Sequence, residues 1–347
     1  MGDVFSVELK PLLECIVAGK SLSEAQAYAL LEALTDPTLP PALAGAFLAA
    51  LRTKGESADE VRGFARAMRA LARRPTLPDV GPTLDIVGTG GDSSNTYNLS
   101  TGAALLAVAA GARVVKHGNR SISSRSGSAD LLEELGLPIP LDASAAASCL
   151  AATGFTFLFA PHYHPAMKAI APVRAALGVR TVFNLLGPLA NPAEPPFQLT
   201  GAYSAEAAAL MAETLSGLPI RRAFVVHGEP GWDEPTPAGP FLLYDVTPGR
   251  VSCTTRSSAD FGLPLCLPAD LRGGDAAYNA AALRAVFEGR DRGPHRDALL
   301  MSAALALELI GFAADPLSGR ALAQAAIDSG AARAMLQSMA TFGASLQ

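Results

Sequence analysis

Two short stretches of this sequence carry residue types and spacings suited to holding a multiply charged anion. The first is Asp85–Ile86–Val87–Gly88–Thr89–Gly90–Gly91–Asp92. Three glycines behind an apolar strand let the backbone take positive φ and let a bulky anion approach its N–H groups. The stretch lacks the Gly-Lys-Ser/Thr ending of a P-loop and the correctly placed third glycine of a dinucleotide fingerprint. Alone, it is also what an ordinary turn with an aspartate looks like. Its continuation, Thr96–Tyr97–Asn98–Leu99–Ser100–Thr101, runs directly into an apolar helix. The hydroxyls of Thr96, Ser100 and Thr101 and the Asn98 amide therefore crowd a helix N-terminus, where free N–H groups and the helix dipole favour phosphate. Simple capping needs only one such side chain.

The second stretch is Lys116–His117–Gly118–Asn119–Arg120–Ser121–Ile122–Ser123–Ser124–Arg125–Ser126–Gly127–Ser128. It too lies between a strand and a helix, at the sheet edge where α/β proteins bind ligands. Lys116, Arg120 and Arg125 supply charge, and Ser123, Ser124 and the backbone supply donors. Composition alone would favour an ordinary solvated loop, but two anion-suited loops after consecutive strands make coincidence a poorer explanation. Asp233–Glu234 follows a strand ending Val225–Val226–His227–Gly228; adjacent carboxylates in a loop are usually just solvated. His117 is embedded in the second loop, whereas His164 precedes Pro165 at a helix start. No Ser-His-Asp or Cys-His arrangement stands out.

The elements that position these residues fall into two parts. From about Glu8 to Arg74 the pattern is helical with short polar joints: Ser21 and Glu24 read as a capping box, Leu43–Arg52 as a helix, and Ser57–Glu60 as the start of another. A proline-rich joint, Pro75–Pro82, follows. Beyond it, strands at Leu84–Val87, Val114–Lys116, Gln198–Tyr203 and Ala223–Val226 alternate with helices, which implies a parallel or mixed sheet. Ala276–Glu288, Arg296–Ile310, Ser318–Ser329 and Ala331–Leu346 read as helices covering it.

Composition narrows the classes further. Half of the 347 residues are hydrophobic and 17% are charged, enough for a large core and poor material for disorder. A net charge of -5 gives no reason to expect nucleic acid or an anionic membrane as partner, so an anion must be held locally. The four cysteines are dispersed without CxxC spacing, which argues for a reducing compartment. No secretory signal is legible at the N-terminus and no apolar run is long enough to span a bilayer; a cytoplasmic protein is expected.

GTGGD, the Thr-x-Asn-x-Ser-Thr segment and KHGNRSISS, in this order, resemble the anthranilate phosphoribosyltransferase family. So do Phe159–Met167, Ala171–Pro172–Val173–Arg174 and Thr181–Leu189; the similarity runs from about Leu84 to Asn191 and more thinly to both ends. The resemblance implies a nucleoside phosphorylase/phosphoribosyltransferase-type α/β fold: a small all-helical N-terminal domain, residues 1–78 joined by a later insertion at about 164–189, and a large α/β domain, residues 79–347, with the active site near the hinge. It implies contacts to phosphoribosyl pyrophosphate (PRPP) from Gly88, Gly91, Asp92, Thr96, Asn98, Leu99, Ser100, Thr101, Lys116, His117, Gly118, Asn119, Arg120, Ser121, Ile122, Ser123, Ser124 and Ser128. Arg174, Gly88 and Asn119 fall on positions that meet anthranilate; without the resemblance Arg174 reads as a solvent-facing helix arginine. Ser100, Asp233 and Glu234 fall on magnesium-binding positions, with two ions per site. Trp232 before this pair and Pro235 after it depart from the family pattern. No catalytic acid or base is implied, Lys116 and His117 being candidate contributors, and a homodimer is expected.

Overall fold

The computed structural model describes residues 8–92, 94, 96–121, 125–229 and 231–346. Helices Leu9–Val17, Glu24–Leu34, Pro41–Lys54 and Ala58–Ala70 form the N-terminal bundle. The capping box of the second helix is built from Ser23 and Gln26, not from Ser21 and Glu24 as the spacing suggested. The reason is Leu22, which is buried and whose amide donates to the Glu60 carboxylate (2.9 Å), so the chain stays extended two residues longer. Glu60 also closes a capping box with Ser57 and pairs with Lys54 (2.8 Å), tying the bundle's turns to one buried carboxylate.

Seven strands follow: β1 Leu84–Gly88, β2 Val114–Gly118, β3 Phe155–Phe159, β4 Phe197–Gly201, β5 Arg222–Gly228, β6 Phe241–Thr247 and β7 Arg250–Arg256. They make one sheet in the order β3-β2-β1-β4-β5-β6-β7. The first five are mutually parallel, and β6 and β7 are antiparallel additions at one edge. The expected strands are present and the sheet is mixed; β3, β6 and β7 were not assigned from sequence. The chain leaves β1 toward β2 on one side and later returns to β4 on the other. Their C-terminal ends therefore open a crevice at a topological switch point.

Alternation along the strands sends side chains into two cores. Phe224 and Val226 of β5 join the cluster beneath the C-terminal helices, including Pro294–Leu309, while Ala223 and Val225 join the cluster shared with the N-terminal bundle. Ile170, Val182, Phe183, Leu185, Leu186 and Leu189 belong to that second cluster. Arg69 reinforces it, its buried guanidinium donating to the Leu189 carbonyl (2.8 Å) and facing Glu194 (3.6 Å). Among the described residues no helix is long and apolar enough to cross a membrane.

Strand-end glycines leave room for one loop. A Cβ at Gly88 would overlap the Asp233 carboxylate, one at Gly201 the Asp233 carbonyl, and one at Gly228 the Glu234 carbonyl. Gly201→Ala is therefore expected to lower stability by about 1–3 kcal/mol, the usual cost of overpacking, as read from urea unfolding; an unchanged midpoint would mean that the loop moves aside freely.

Candidate active site

A cleft of about 860 Å³ lies over the crevice between β1 and β4 and is lined by both sequence loops, by Asp233–Glu234 and by residues 160–188. In the first loop Gly90 and Gly91 take φ of +67° and +71°, a left-handed conformation that a side chain would strain. Gly90 N–H donates to Asp233 Oδ2 (2.6 Å), and Thr89 N–H to the Gly201 carbonyl (3.0 Å). The Asp92 carboxylate accepts from the Ser94 amide (3.1 Å) and the Asp233 amide (3.1 Å). The helix that follows, Leu99–Ala109, starts two residues earlier than the sequence suggested.

That earlier start changes which of its residues face the cleft. Gly88, Gly91, Asp92, Thr96, Asn98 and Ser100 line it, but Leu99 and Thr101 do not; both side chains are wholly buried in the core. Asn98 links the two loops, donating to the Ser126 carbonyl (3.0 Å) and accepting from Asn279 (2.8 Å). From the second stretch Lys116, His117, Gly118, Asn119, Arg120, Ser121 and Ser128 line the cleft, whereas Arg125 is exposed away from its lining. Ile122, Ser123 and Ser124 lie outside the described residues. Arg120 already engages Asp130 (2.9 Å) and Glu133 (2.6 Å), so its charge is shared with the helix behind the loop.

Lys116 is a buried cation on β2 itself, 1% exposed, bonded to the Ile86 carbonyl and to Ser100 Oγ (3.4 Å). Burial lowers its pKa to about 8, with Asp85, Glu234 and Asp233 holding it up. His117 is neutral, since burial beside His164 pulls it down to about 3. Its Nδ1 faces the Gly187 carbonyl (3.1 Å), which can only accept, so Nδ1 carries the proton and Nε2 is an acceptor.

Asp233 is buried and Glu234 half-buried at the cleft, contrary to the usual fate of adjacent loop carboxylates. Trp232 is buried and exchanges backbone hydrogen bonds with Gly228 (2.8 and 2.9 Å), folding the pair back over the end of β5. Glu234 accepts from the Thr96 hydroxyl (2.6 Å) and the Ser100 amide (3.2 Å). Burial, then Asp92, then Glu234 push the Asp233 carboxyl well above the ordinary carboxylate range. Burial likewise pushes Glu234 up to about 7 against the Thr96 hydrogen bond, with Asp92 adding like charge. A hard divalent cation is the group that lets such carboxylates stay ionised at neutral pH. Among the described residues no three His, Cys, Asp or Glu side chains form a metal cage. The protein thus offers a partial ligand set, of the kind magnesium completes with phosphate oxygens and water.

Toward the other end, Arg174 lies on the helix Ala171–Leu177 with its guanidinium over the Phe183 ring (4.9 Å). It has no carboxylate partner among the described residues, and burial lowers its pKa. A half-buried unpaired cation is a receptor for an anionic ligand group. Met167, Phe183 and Asn184 also line the cleft; they lie in segments that carry the resemblance, but sequence reasoning gave them no role. Met68 and Arg180 line it too and lie outside the quoted segments; the fold brings them in.

Residues 80–333 match the profile of the glycosyl transferase family, a/b domain, and residues 10–72 that of the same family's helical bundle domain. Anthranilate phosphoribosyltransferase of Solibacter usitatus is 49% identical over 341 residues, spanning 98% of this chain and 100% of the relative. The chain belongs to the anthranilate phosphoribosyltransferase family. The family's enzyme from Thermus thermophilus superposes with a TM-score of 0.89 at 41% identity, covering 95% of this chain and 98% of that chain. The Saccharomyces cerevisiae enzyme in complex with PRPP and Mg superposes with a TM-score of 0.87 at 28% identity, covering 97% and 98%.

The raised Glu234 pKa has a measurable consequence. A folded-state value of about 7 above an ordinary 4.5 means that its favourable protonated state is fully present below about pH 4.5 and is lost as pH rises through about 7. His117 and His164, pulled down to about 3 and about 4, act in the opposite sense over an overlapping range, so the whole-protein profile mixes both. The difference reports on the Asp233–Glu234 pair, since Glu234→Gln also removes the like charge beside Asp233: without metal, the variant should gain on the unsubstituted protein by on the order of 2 kcal/mol between pH 5 and 8. Urea unfolding at both pH values measures it, and a pH-independent difference would show that the pair ionises without cost.

Proposed function

We propose that this chain transfers the 5-phosphoribosyl group of PRPP to the amino nitrogen of anthranilate, releasing pyrophosphate and N-(5-phosphoribosyl)anthranilate, the chemistry named by its family. The observation that carries this reading is one cleft with a phosphate-suited, acidic end and an unpaired arginine toward the other. The Gly88–Asp92 loop, the Ser100 end of its helix, Lys116 and the Asn119–Ser121 backbone receive the donor's phosphates. Arg174 receives the acceptor's carboxylate as a bidentate partner, with Gly88 and Asn119 beside the acceptor. Asp233, Glu234 and Ser100 would hold magnesium, two ions per site in our reading, which supplies charge to neutralise the diphosphate as it leaves.

The acceptor nitrogen is an aniline, neutral and with a lone pair, so no strong base must act before attack. As the diphosphate departs, C1 of the ribose gains oxocarbenium character and the nitrogen attacks from the opposite face; the new N–C1 bond leaves the nitrogen cationic and acidic, and its extra proton passes to the departing diphosphate or to water. Lys116 stabilises the departing charge from beneath the loops, while His117, held neutral, adds no charge of its own. Catalysis then rests on positioning and electrostatics rather than on proton transfer. We further propose that the protein works as a cytoplasmic homodimer; its four cysteines are all free, in keeping with a reducing compartment.

Turnover of PRPP and anthranilate with Mg²⁺ tests the reading, and full activity in excess EDTA would contradict the metal's part in it. Arg174→Ala should weaken anthranilate by roughly one to two decades, the worth of about 1.5–3 kcal/mol for a charge-assisted pair, with PRPP affinity nearly unchanged. Calorimetric titration of each substrate decides this, and the reverse pattern would exchange the two ends of the cleft.

A further inference from the structure

Arg180 stands out among the cleft residues because it is exposed yet held from two sides. It follows the helix Ala171–Leu177, past the left-handed Gly178, and reaches back to donate from Nη2 to the Gly91 carbonyl. Its guanidinium lies over the Tyr203 ring, 4.2 Å from the centroid. Tyr203 is tied to the same loop, its amide donating to Thr89 Oγ1 (3.1 Å). The arginine, the tyrosine and the glycine loop therefore close a circuit over the end of β4.

We infer that Arg180 is a positioning residue that latches the Gly90–Gly91 loop for its phosphate-bearing donor; this rests on the function proposed above. Two consecutive glycines in the left-handed region have the least intrinsic reason to stay put. The Asp233 carboxylate holds the Gly90 amide (2.6 Å), and Arg180 holds the carbonyl one residue on. Only a planar guanidinium can lie flat on an aromatic ring and donate in its own plane to a carbonyl at its edge. Arg174, by contrast, is half-buried and has no bond to this loop, so the two arginines of one segment divide the work: one for the acceptor, one for the donor loop.

The test uses R180A, R180K and Y203L. Without substrates, amide exchange across 88–92 should quicken roughly tenfold in R180A, as loss of one carbonyl bond and one exposed cation–π contact implies. The PRPP KM should rise by roughly the same factor, while the anthranilate KM, kcat at saturating PRPP and the melting temperature hold. R180K, which reaches the carbonyl without a flat face, should fall between, and Y203L should imitate R180A. An unchanged PRPP KM in R180A overturns the inference whatever the exchange rates do, and so does a rise confined to the anthranilate KM. If the unsubstituted chain fails to turn over these substrates, the functional reading fails instead. Loop exchange then judges the latch by itself, unchanged rates in R180A overturning it.

Discussion

The site depends on keeping two adjacent carboxylates, Asp233 almost wholly and Glu234 in part, out of bulk water. Burying ionised oxygens is costly unless donors or a cation meet them. The fold meets them only in part. Gly90 N–H serves one, Thr96 and Ser100 serve the other, and a third carboxylate, Asp92, stands close by. Lys116 is the buried cation whose charge offsets theirs, and burial weakens its own hold on a proton. What results is a centre that favours protons when empty and, in the function we propose, would favour divalent charge with phosphate oxygens when filled.

The rest of the architecture can be read as the means of holding that centre at a switch point of the sheet. Three strands end in glycine where the Asp233–Glu234 loop crosses them, and the loop is stitched to the end of β5 through Trp232. Asp85, wholly buried on β1 with its pKa raised to about 6 by burial, is bonded by Asn191 (2.9 Å) and the His117 amide (3.3 Å), locking β1 to β2 directly beneath the two loops. On the opposite side, residues 170–190 pack with the N-terminal bundle, so Arg174 and Arg180 enter the cleft from the helical part of the molecule. The cleft is thereby walled by the sheet's loops on one side and by the helical part on the other.

Much of this was legible in the residues. The two loops could be read because glycines, hydroxyls and amides at strand-to-helix junctions have few structural uses in such number. The burial of Asp233 and Glu234 could not, because it is imposed by Gly88, Gly201 and Gly228, which belong to three different strands. The inward turn of Leu99 and Thr101 follows from where the helix begins, and a one- or two-residue shift there reverses which side chains face the cleft. The same sensitivity misplaced the first capping box: Leu22 had to be buried before the helix could begin. Arg180 carries no local signature at all, since its partners Gly91 and Tyr203 are brought to it only by the closed fold.

We propose that the carboxylate centre exchanges protons for divalent charge when the donor binds. Calorimetric titration of PRPP with Mg²⁺ at pH 7, in two buffers of different ionisation enthalpy, counts the protons released. PRPP's own ionisation contributes equally to any variant and cancels in a difference. The unsubstituted protein is expected to release protons that Glu234→Gln does not. Equal release by the two proteins would contradict it.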